Sequence, residues 1–399
     1  MRILFVCSTE FQILNALNIK VHLFPDSQAD IVLQRAEYSG IAARLRPLGL
    51  FDNICCARPY LMDLHEYKLA MRETGHCDTS IGGAILNSLV NMWRKIAGGI
   101  LGPKYHLNNL LDDYKAIRDT HYDMVLMQSG NAIVRNFYAD MHGKTEMAIL
   151  DEGIGSYCDN TICHKDTKAD AAYLYDPDIA VYNNDDIAFV RIPKLSSEDK
   201  AFVSILNKVF DYLPKSNIHK NELIFFDQGG ELMPSYLQNP NWLVRLLLAN
   251  SIRKHLENHE SYITQVKTFK KIAADQTVYI KYHPRTPEGM LKEYDATKFK
   301  AIEPRKIPWE LYAINNNVTG CNLLTISSSS ICLYPMTVGG DNKCIVLYKC
   351  VGHDMPEKYR KMMDNIAEKY KDYFVIGNDL DEVCSECQQK STYSKGYSV

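Results

Sequence analysis

The sequence has no run of about 18 apolar residues, no surplus of basic charge, no second CxxC motif, no internal repeat and no low-complexity tract. Each absence excludes a class. Without the apolar run, no membrane span is predicted. With 45 Lys and Arg against 48 Asp and Glu, the net charge is -3. The basic surplus of a nucleic-acid-binding protein is therefore missing. Twelve cysteines are scattered along the chain, and Cys384-Ser-Glu-Cys387 has no partner pair to complete a zinc site. It reads as two reduced thiols on a helix, and Cys55-Cys56 reads as buried strand filler. The opening MRILFVCST carries one charge and a short apolar run. That is too short for a signal peptide and suits a first strand, so a cytoplasmic protein is expected.

What is present is ordinary globular material, 46% hydrophobic and 23% charged over 399 residues. That length suggests two domains, each long enough to bury a core. In the first half, apolar strand-like runs (RILFVCST, ADIVLQ, DNICCARP, YDMVLMQSG, TEMAILDEG) alternate with helical patterns. Residues 64–120 are mostly helical in pattern, broken by Gly82-Gly83 and Gly98-Gly99. The second half repeats the alternation through ELIFFDQ, TVYIKYHPR, FKAIEP, NLLTISSSS and KCIVLY. Strands alternating with helices predict parallel sheets covered on both faces. Asp, Asn, Pro and Ser clusters fill residues 160–220, and PKSNIHKNE reads as a linker. The expected division is a Rossmann-like domain over 1–215, a second over 216–375, and a C-terminal helix and tail over 376–399. The fold class is α/β, two Rossmann-like domains with parallel sheets facing across a cleft. Ligands of such folds bind at the carboxyl ends of strands.

Four strand ends carry polar groups: Ser8-Thr9, Asp151-Glu152-Gly153, Lys281-Tyr282-His283-Pro284-Arg285, and Ser327-Ser328-Ser329-Ser330. Consecutive hydroxyls before an apolar segment suit a helix N-terminus and an anion, or a plain cap. Pro284 forces the chain out of the strand and holds His283 in a turn. There an imidazole can donate to a phosphate or neutralise leaving-group charge, whereas an isolated histidine is usually structural. Asp151 ends a buried strand, and a carboxylate there can take a proton from an incoming hydroxyl or cap a helix. Acids in one domain and a His/Ser/Lys anion site in the other form a glycosyl-transfer layout. Gln12, Gly130 and Asn131 are further candidates for the cleft lining, beside Ser8, Thr9, Glu152, Gly153 and Asp227.

DEG after a strand, K-x-HP after a later strand and a Ser run beyond it resemble the bacterial sialyltransferases of the GT-B type, in particular glycosyltransferase family fifty-two. LFVCSTEFQILNA and YLYDPDI look like that family too. The resemblance runs from residue 1 to about 350. It implies inverting, metal-independent transfer of sialic acid from CMP-sialic acid to a sugar hydroxyl of lipooligosaccharide or capsule. Asp151 then matches the general base and His283 the residue that contacts the CMP phosphate. Lys281 matches the position beside the cytidine. Ser327, Ser328 and Ser329 match the phosphate-binding hydroxyls, with Pro284 and Arg285 in the same nucleotide site. Glu303 is similar to the acid that binds ribose, and Asp227, which also ends a strand, competes with Asp151 for the base role. The partners implied are a nucleotide-sugar donor and a glycan acceptor, with no cofactor. A glycolipid acceptor would bring the protein to the inner face of the cytoplasmic membrane, and a homodimer is compatible with the family.

Two other readings fit the same motifs: a CDP-glycerol-type glycerophosphotransferase or a transferase of another nucleotide sugar, and a non-catalytic polysaccharide-binding protein. Asp176-Pro177-Asp178 and Asp379-Leu380-Asp381 have the composition of metal ligands, but Asp-rich turns are common. Trp93 and Trp309 are apolar enough to stack on a sugar, although most such residues are core.

Overall fold

The computed structural model describes residues 1–58, 102–164, 166–182, 187–214, 219–229, 249–274, 277–284, 286, 294, 299–316, 318–353 and 355–393. Most of 64–120, residues 287–293, Trp93 and Arg285 lie outside them. The chain forms two compact units. Of the described residues, 1–58, 102–214 and 307–315 make up the first and the remainder the second.

The first unit is built on a parallel sheet of β1 (Arg2–Cys7), β2 (Gln28–Leu33), β3 (Asn53–Cys56), β4 (Met124–Met127), β5 (Glu146–Leu150), β6 (Ala171–Leu174) and β7 (Ala188–Arg191). Their spatial order is β3-β2-β1-β4-β5-β6-β7. Near-continuous apolar runs make these strands, as expected where both faces of a parallel sheet are covered. Asp30 interrupts one run. It is fully buried, and Arg2 (3.0 Å), the Tyr122 hydroxyl (2.6 Å) and the Asn53 N–H (2.9 Å) satisfy it. Helix Glu10–His22 packs on β1 and β5, and helix Lys200–Val209 packs on that helix. Helix Lys200–Val209 buries Phe202, Val203, Leu206 and Val209, a stripe of helical period, and Asp199 caps it by accepting from the Phe202 N–H at 3.0 Å. Helix Trp309–Asn315 packs beside it although it follows the second unit's strands in sequence; Asn207 and Asn315 exchange amide hydrogen bonds of 3.0 and 2.9 Å.

The second unit is a parallel sheet of β8 (Leu223–Phe226), β9 (Val278–Lys281), β10 (Phe299–Ala301), β11 (Asn322–Thr325), β12 (Lys343–Val346) and β13 (Phe374–Ile376), in the order β10-β9-β8-β11-β12-β13. Its core gathers Phe225, Phe269, Tyr262, Tyr282 and Tyr294 in edge-to-face contacts, with Val278, Ile280 and Leu324. Cys387 is buried in this core and Cys384 packs against it. The two units are thus both doubly wound α/β, which is the expected fold class. Among the described residues no helix is long and apolar enough to cross a membrane.

Two parts of the sequence reading are corrected. The cluster-rich stretch 160–220 contains β6, β7 and helix Lys200–Val209. β6 opens on two alanines and β7 is a partly exposed edge strand, so neither presents the unbroken apolar run that marks the other strands. Likewise β13, absent from the strand-like runs of the sequence, sits directly behind helix Glu357–Lys369.

Phe225 lies at the centre of the second core with no exposed surface, 5.5 Å from the Phe269 ring. Phe225→Ala is expected to lower the stability of that unit by about 3–5 kcal/mol. A urea midpoint equal to that of the unsubstituted protein would contradict this packing.

Candidate active site

In each sheet the strand order reverses once, between β1 and β4 in the first unit and between β8 and β11 in the second. A crevice opens at the carboxyl edge beside such a reversal. The candidate residues collect at these two edges.

In the first unit, Thr9 caps helix Glu10–His22 by accepting from the Gln12 N–H (3.2 Å), while the Gln12 side-chain oxygen accepts from the N–H and hydroxyl of Ser8, both at 2.7 Å. The Gln12 amide then donates to the Gln128 carbonyl at 2.9 Å, which ties β1 to β4 across the reversal. Asn131 caps helix Ala132–Met141 through the Val134 N–H at 3.1 Å and donates to Gln34, beyond β2. Gly130, beside it, is exposed. Farther along, Ser156 donates to the Gln128 side chain and accepts from the Glu152 N–H at 2.9 Å. One chain of hydrogen bonds thus runs from Ser8 to Glu152.

Asp151 and Glu152 follow β5 and differ in exposure. Asp151 has no exposed surface. Its Oδ2 accepts from the Tyr157 hydroxyl at 2.7 Å and its Oδ1 from the Gly153 N–H at 2.9 Å. Gly153 has φ of 129°, which an L side chain would strain, and so allows this tight return. Burial pushes the Asp151 carboxyl up to about 7, against the opposing Tyr157 and Gly153 hydrogen bonds. Glu152 is half-buried, and burial followed by the charge of Asp151 raises it to about 7 as well. Its Oε1 lies over Gly155, 3.3 Å from where a Cβ would stand.

In the second unit, the His283-Pro284 turn leaves β9 beside Gln228-Gly229 at the end of β8 and Ser327-Ser328 at the end of β11. Gly229, at φ 84°, lets its backbone approach the imidazole; a Cβ there would meet His283 Nδ1 at 3.1 Å. The Gln228 amide reaches the Ser327 hydroxyl at 2.8 Å, and with its oxygen turned inward it accepts from the Ser328 N–H at 2.9 Å. Ser328 stands at the N-cap position of the short helix Ser329–Cys332 without a side-chain capping bond, and Ser327 to Ser330 are all partly exposed. His283 is partly exposed as well. The edge therefore presents an imidazole, an amide and a row of hydroxyls side by side.

Asp227 and Lys281 are buried and engaged within the second unit, whereas Glu303 stands on an exposed loop. Asp227 is buried beneath this edge. Its Oδ1 accepts from Gln265 and the Tyr294 hydroxyl (3.1 Å), and its Oδ2 from the Thr286 hydroxyl and the His283 N–H (3.3 Å). With four donors around it, Asp227 holds both ends of the His-Pro turn. The Lys281 ammonium is buried and donates to the Pro304 and Arg305 carbonyls at 3.0 and 2.9 Å, so it orders the loop after β10. Glu303, on that loop, is exposed and accepts from the Arg305 N–H at 3.0 Å. The two Asp-rich turns are also engaged. Arg191 bridges Asp176 (2.7 Å) and Asp178 (3.1 Å), while Asp379 accepts from the N–H groups of Asp381 and Glu382. Trp309 is buried and stacks on Tyr312 at 5.5 Å.

Sequence reasoning missed Tyr157, Gln128 and Gln228, and it missed the Asp227 cage of Gln265, Thr286 and Tyr294. Gln228 and Gly229 stand within FFDQGG, where a Gly pair after a strand was an available signal. Tyr157, Gln265 and Tyr294 lie in ordinary apolar or helical patterns and gave none.

No known family's profile matches the sequence, and no curated protein matches it. Among solved structures the chain is similar to the α/β-galactoside α-2,3-sialyltransferase of the luminous marine bacterium Photobacterium phosphoreum (12% identity, TM-score 0.46, 94% of this chain and 98% of that one). It is also similar to a UDP-N-acetylglucosamine 2-epimerase (10%, 0.45, 100% and 89%) and to the ADP-heptose heptosyltransferase II of E. coli (10%, 0.37, 99% and 100%). At such identities these likenesses do not fix an activity, and the chemistry rests on the two strand edges.

Proposed function

We propose that the protein is an inverting, metal-independent glycosyltransferase of the GT-B type that moves sialic acid from CMP-sialic acid to a hydroxyl of a bacterial surface glycan. The observation that carries this reading is the second unit's edge, where His283, Gln228 and Ser327-Ser328 stand together at the strand-order reversal. A leaving phosphate gains charge as the glycosidic bond breaks. Donors fixed beforehand at that charge lower the barrier. In this role His283 donates to the CMP phosphate, and the serine hydroxyls and N–H groups take its oxygens. Lys281 acts at one remove, by fixing the loop that presents Glu303 to the ribose.

Asp151 of the first unit serves as the base that receives the acceptor proton. A base is most effective when its pKa lies near the working pH, and burial raises Asp151 to about 7. Since Asp151 is fully buried, acceptor binding must uncover it; Glu152 is the half-buried alternative beside it. Asp227 does not take the base role in this reading, because four donors already occupy it. With CMP itself the leaving group and protein donors at its phosphate, a divalent ion has no required part. A glycolipid acceptor would bring the protein to the inner membrane face without a spanning helix.

Three outcomes are expected when CMP release from CMP-sialic acid is followed with and without sugar acceptors. Asp151→Asn abolishes transfer and leaves CMP binding close to normal, while Glu152→Gln keeps measurable transfer; the reverse pattern moves the base to Glu152. His283→Ala weakens CMP binding and lowers turnover by about 100-fold or more; an unchanged rate removes its leaving-group role. Activity survives EDTA, and a complete loss restored by magnesium or manganese would sink the metal-free mechanism. Turnover of CDP-glycerol in place of CMP-sialic acid would redirect the reading to phosphotransfer.

A further inference from the structure

A closed ring of buried hydrogen bonds surrounds Asp151. The Tyr157 hydroxyl donates to Asp151 Oδ2 at 2.7 Å and accepts from the Tyr175 N–H at 3.1 Å. The Tyr175 hydroxyl donates to Asn15 Oδ1 at 2.8 Å, and the Asn15 amide donates to the Asp151 carbonyl at 2.9 Å. Asn15, Asp151, Tyr157 and Tyr175 are each at most 1% exposed. They come from helix Glu10–His22, the end of β5, helix Ile154–Cys158 and the end of β6. Four polar side chains in a core are costly unless their groups are satisfied, and here the ring closes on Asp151 through its backbone carbonyl on one side and its carboxylate on the other.

The geometry of the Tyr157 oxygen is determined from two sides. A phenol has one proton to give. Because the oxygen already accepts from Tyr175, that proton points to Asp151 Oδ2. The Gly153 N–H takes Oδ1, so both carboxylate oxygens receive a donor. A donor to a carboxylate favours its charged form.

Resting on the assignment of Asp151 as the base, we infer that Tyr157 is a positioning residue for the transfer reaction: its hydroxyl holds Asp151 in one orientation and in the ionised form that can accept a proton. Burial drives Asp151 toward the neutral form, and the Tyr157 hydrogen bond is the largest opposing influence. The other titratable groups bearing on Asp151 are Tyr175, Tyr182 and Glu152; Tyr182 is occupied with the Ser156 carbonyl at 2.8 Å, and Glu310 bears on Tyr175. None of these donates to the carboxylate through its side chain.

The test is the pH dependence of kcat/KM for transfer from CMP-sialic acid. In the unsubstituted protein the rate rises with pH through about 7 as Asp151 ionises. Removing a donor to the charged form raises the pKa, so Tyr157→Phe moves this acidic limb to higher pH by about one unit or more. The rate then falls roughly tenfold below the limb and much less above it. Replacing Tyr157 by 3,5-difluorotyrosine, a stronger donor of nearly the same volume, moves the limb the other way, and this arm stands if the phenylalanine variant fails to fold. A purely structural Tyr157 lowers the rate equally at every pH. Limbs that coincide with the unsubstituted profile in both variants overturn the inference while Asp151→Asn remains inactive. An active Asp151→Asn instead overturns the assignment of the base itself.

Discussion

A parallel sheet sends every strand out on the same edge, and this constraint assembles the candidate chemistry. Residues as far apart in sequence as Ser8 and Asp151 in the first unit, or Gln228 and Ser327 in the second, need no special device to be collected at one edge. They need only follow strands. The reversal of strand order between β1 and β4, and again between β8 and β11, then opens the edge where polar groups are left without a neighbouring crossover helix. Ser8, Asn131 and Asp151 reach the first edge in this way; Gln228, His283 and Ser327 reach the second.

Two buried carboxylates show how local donors set different environments. Both Asp151 and Asp227 end central strands and both are almost wholly buried. Asp227 is surrounded by Gln265, Tyr294, Thr286 and the His283 N–H, so its capacity is filled and it works as an anchor for a turn. Asp151 has the Tyr157 hydroxyl and the Gly153 N–H, and burial still holds it near 7. Lys281 illustrates the same rule with the opposite sign. A buried ammonium two residues from the histidine is taken up by two carbonyls, and it shapes a loop.

The strand–helix alternation was legible because buried parallel strands read as unbroken apolar runs, and the strand-end motifs were legible because polar residues interrupt those runs abruptly. β6, β7 and β13 were not: β6 opens on two alanines, and β7 and β13 are partly exposed edge strands that carry no unbroken buried run. The attachment of helix Trp309–Asn315 to the first unit also left no trace in sequence, because it depends on Asn315 meeting Asn207, a contact across 108 positions.

The sequence by itself determined the α/β class, the apolar strands and the polar residues that follow them, since these depend on local pattern alone. Tertiary structure decided what each polar residue does. Whether a carboxylate is an anchor or a base, and whether a lysine meets a ligand or a carbonyl, depends on donors and acceptors brought from distant segments. Tyr157 and Tyr175 are unremarkable tyrosines in the chain; only the packing of β5 and β6 against helix Glu10–His22 closes them into a ring around Asp151.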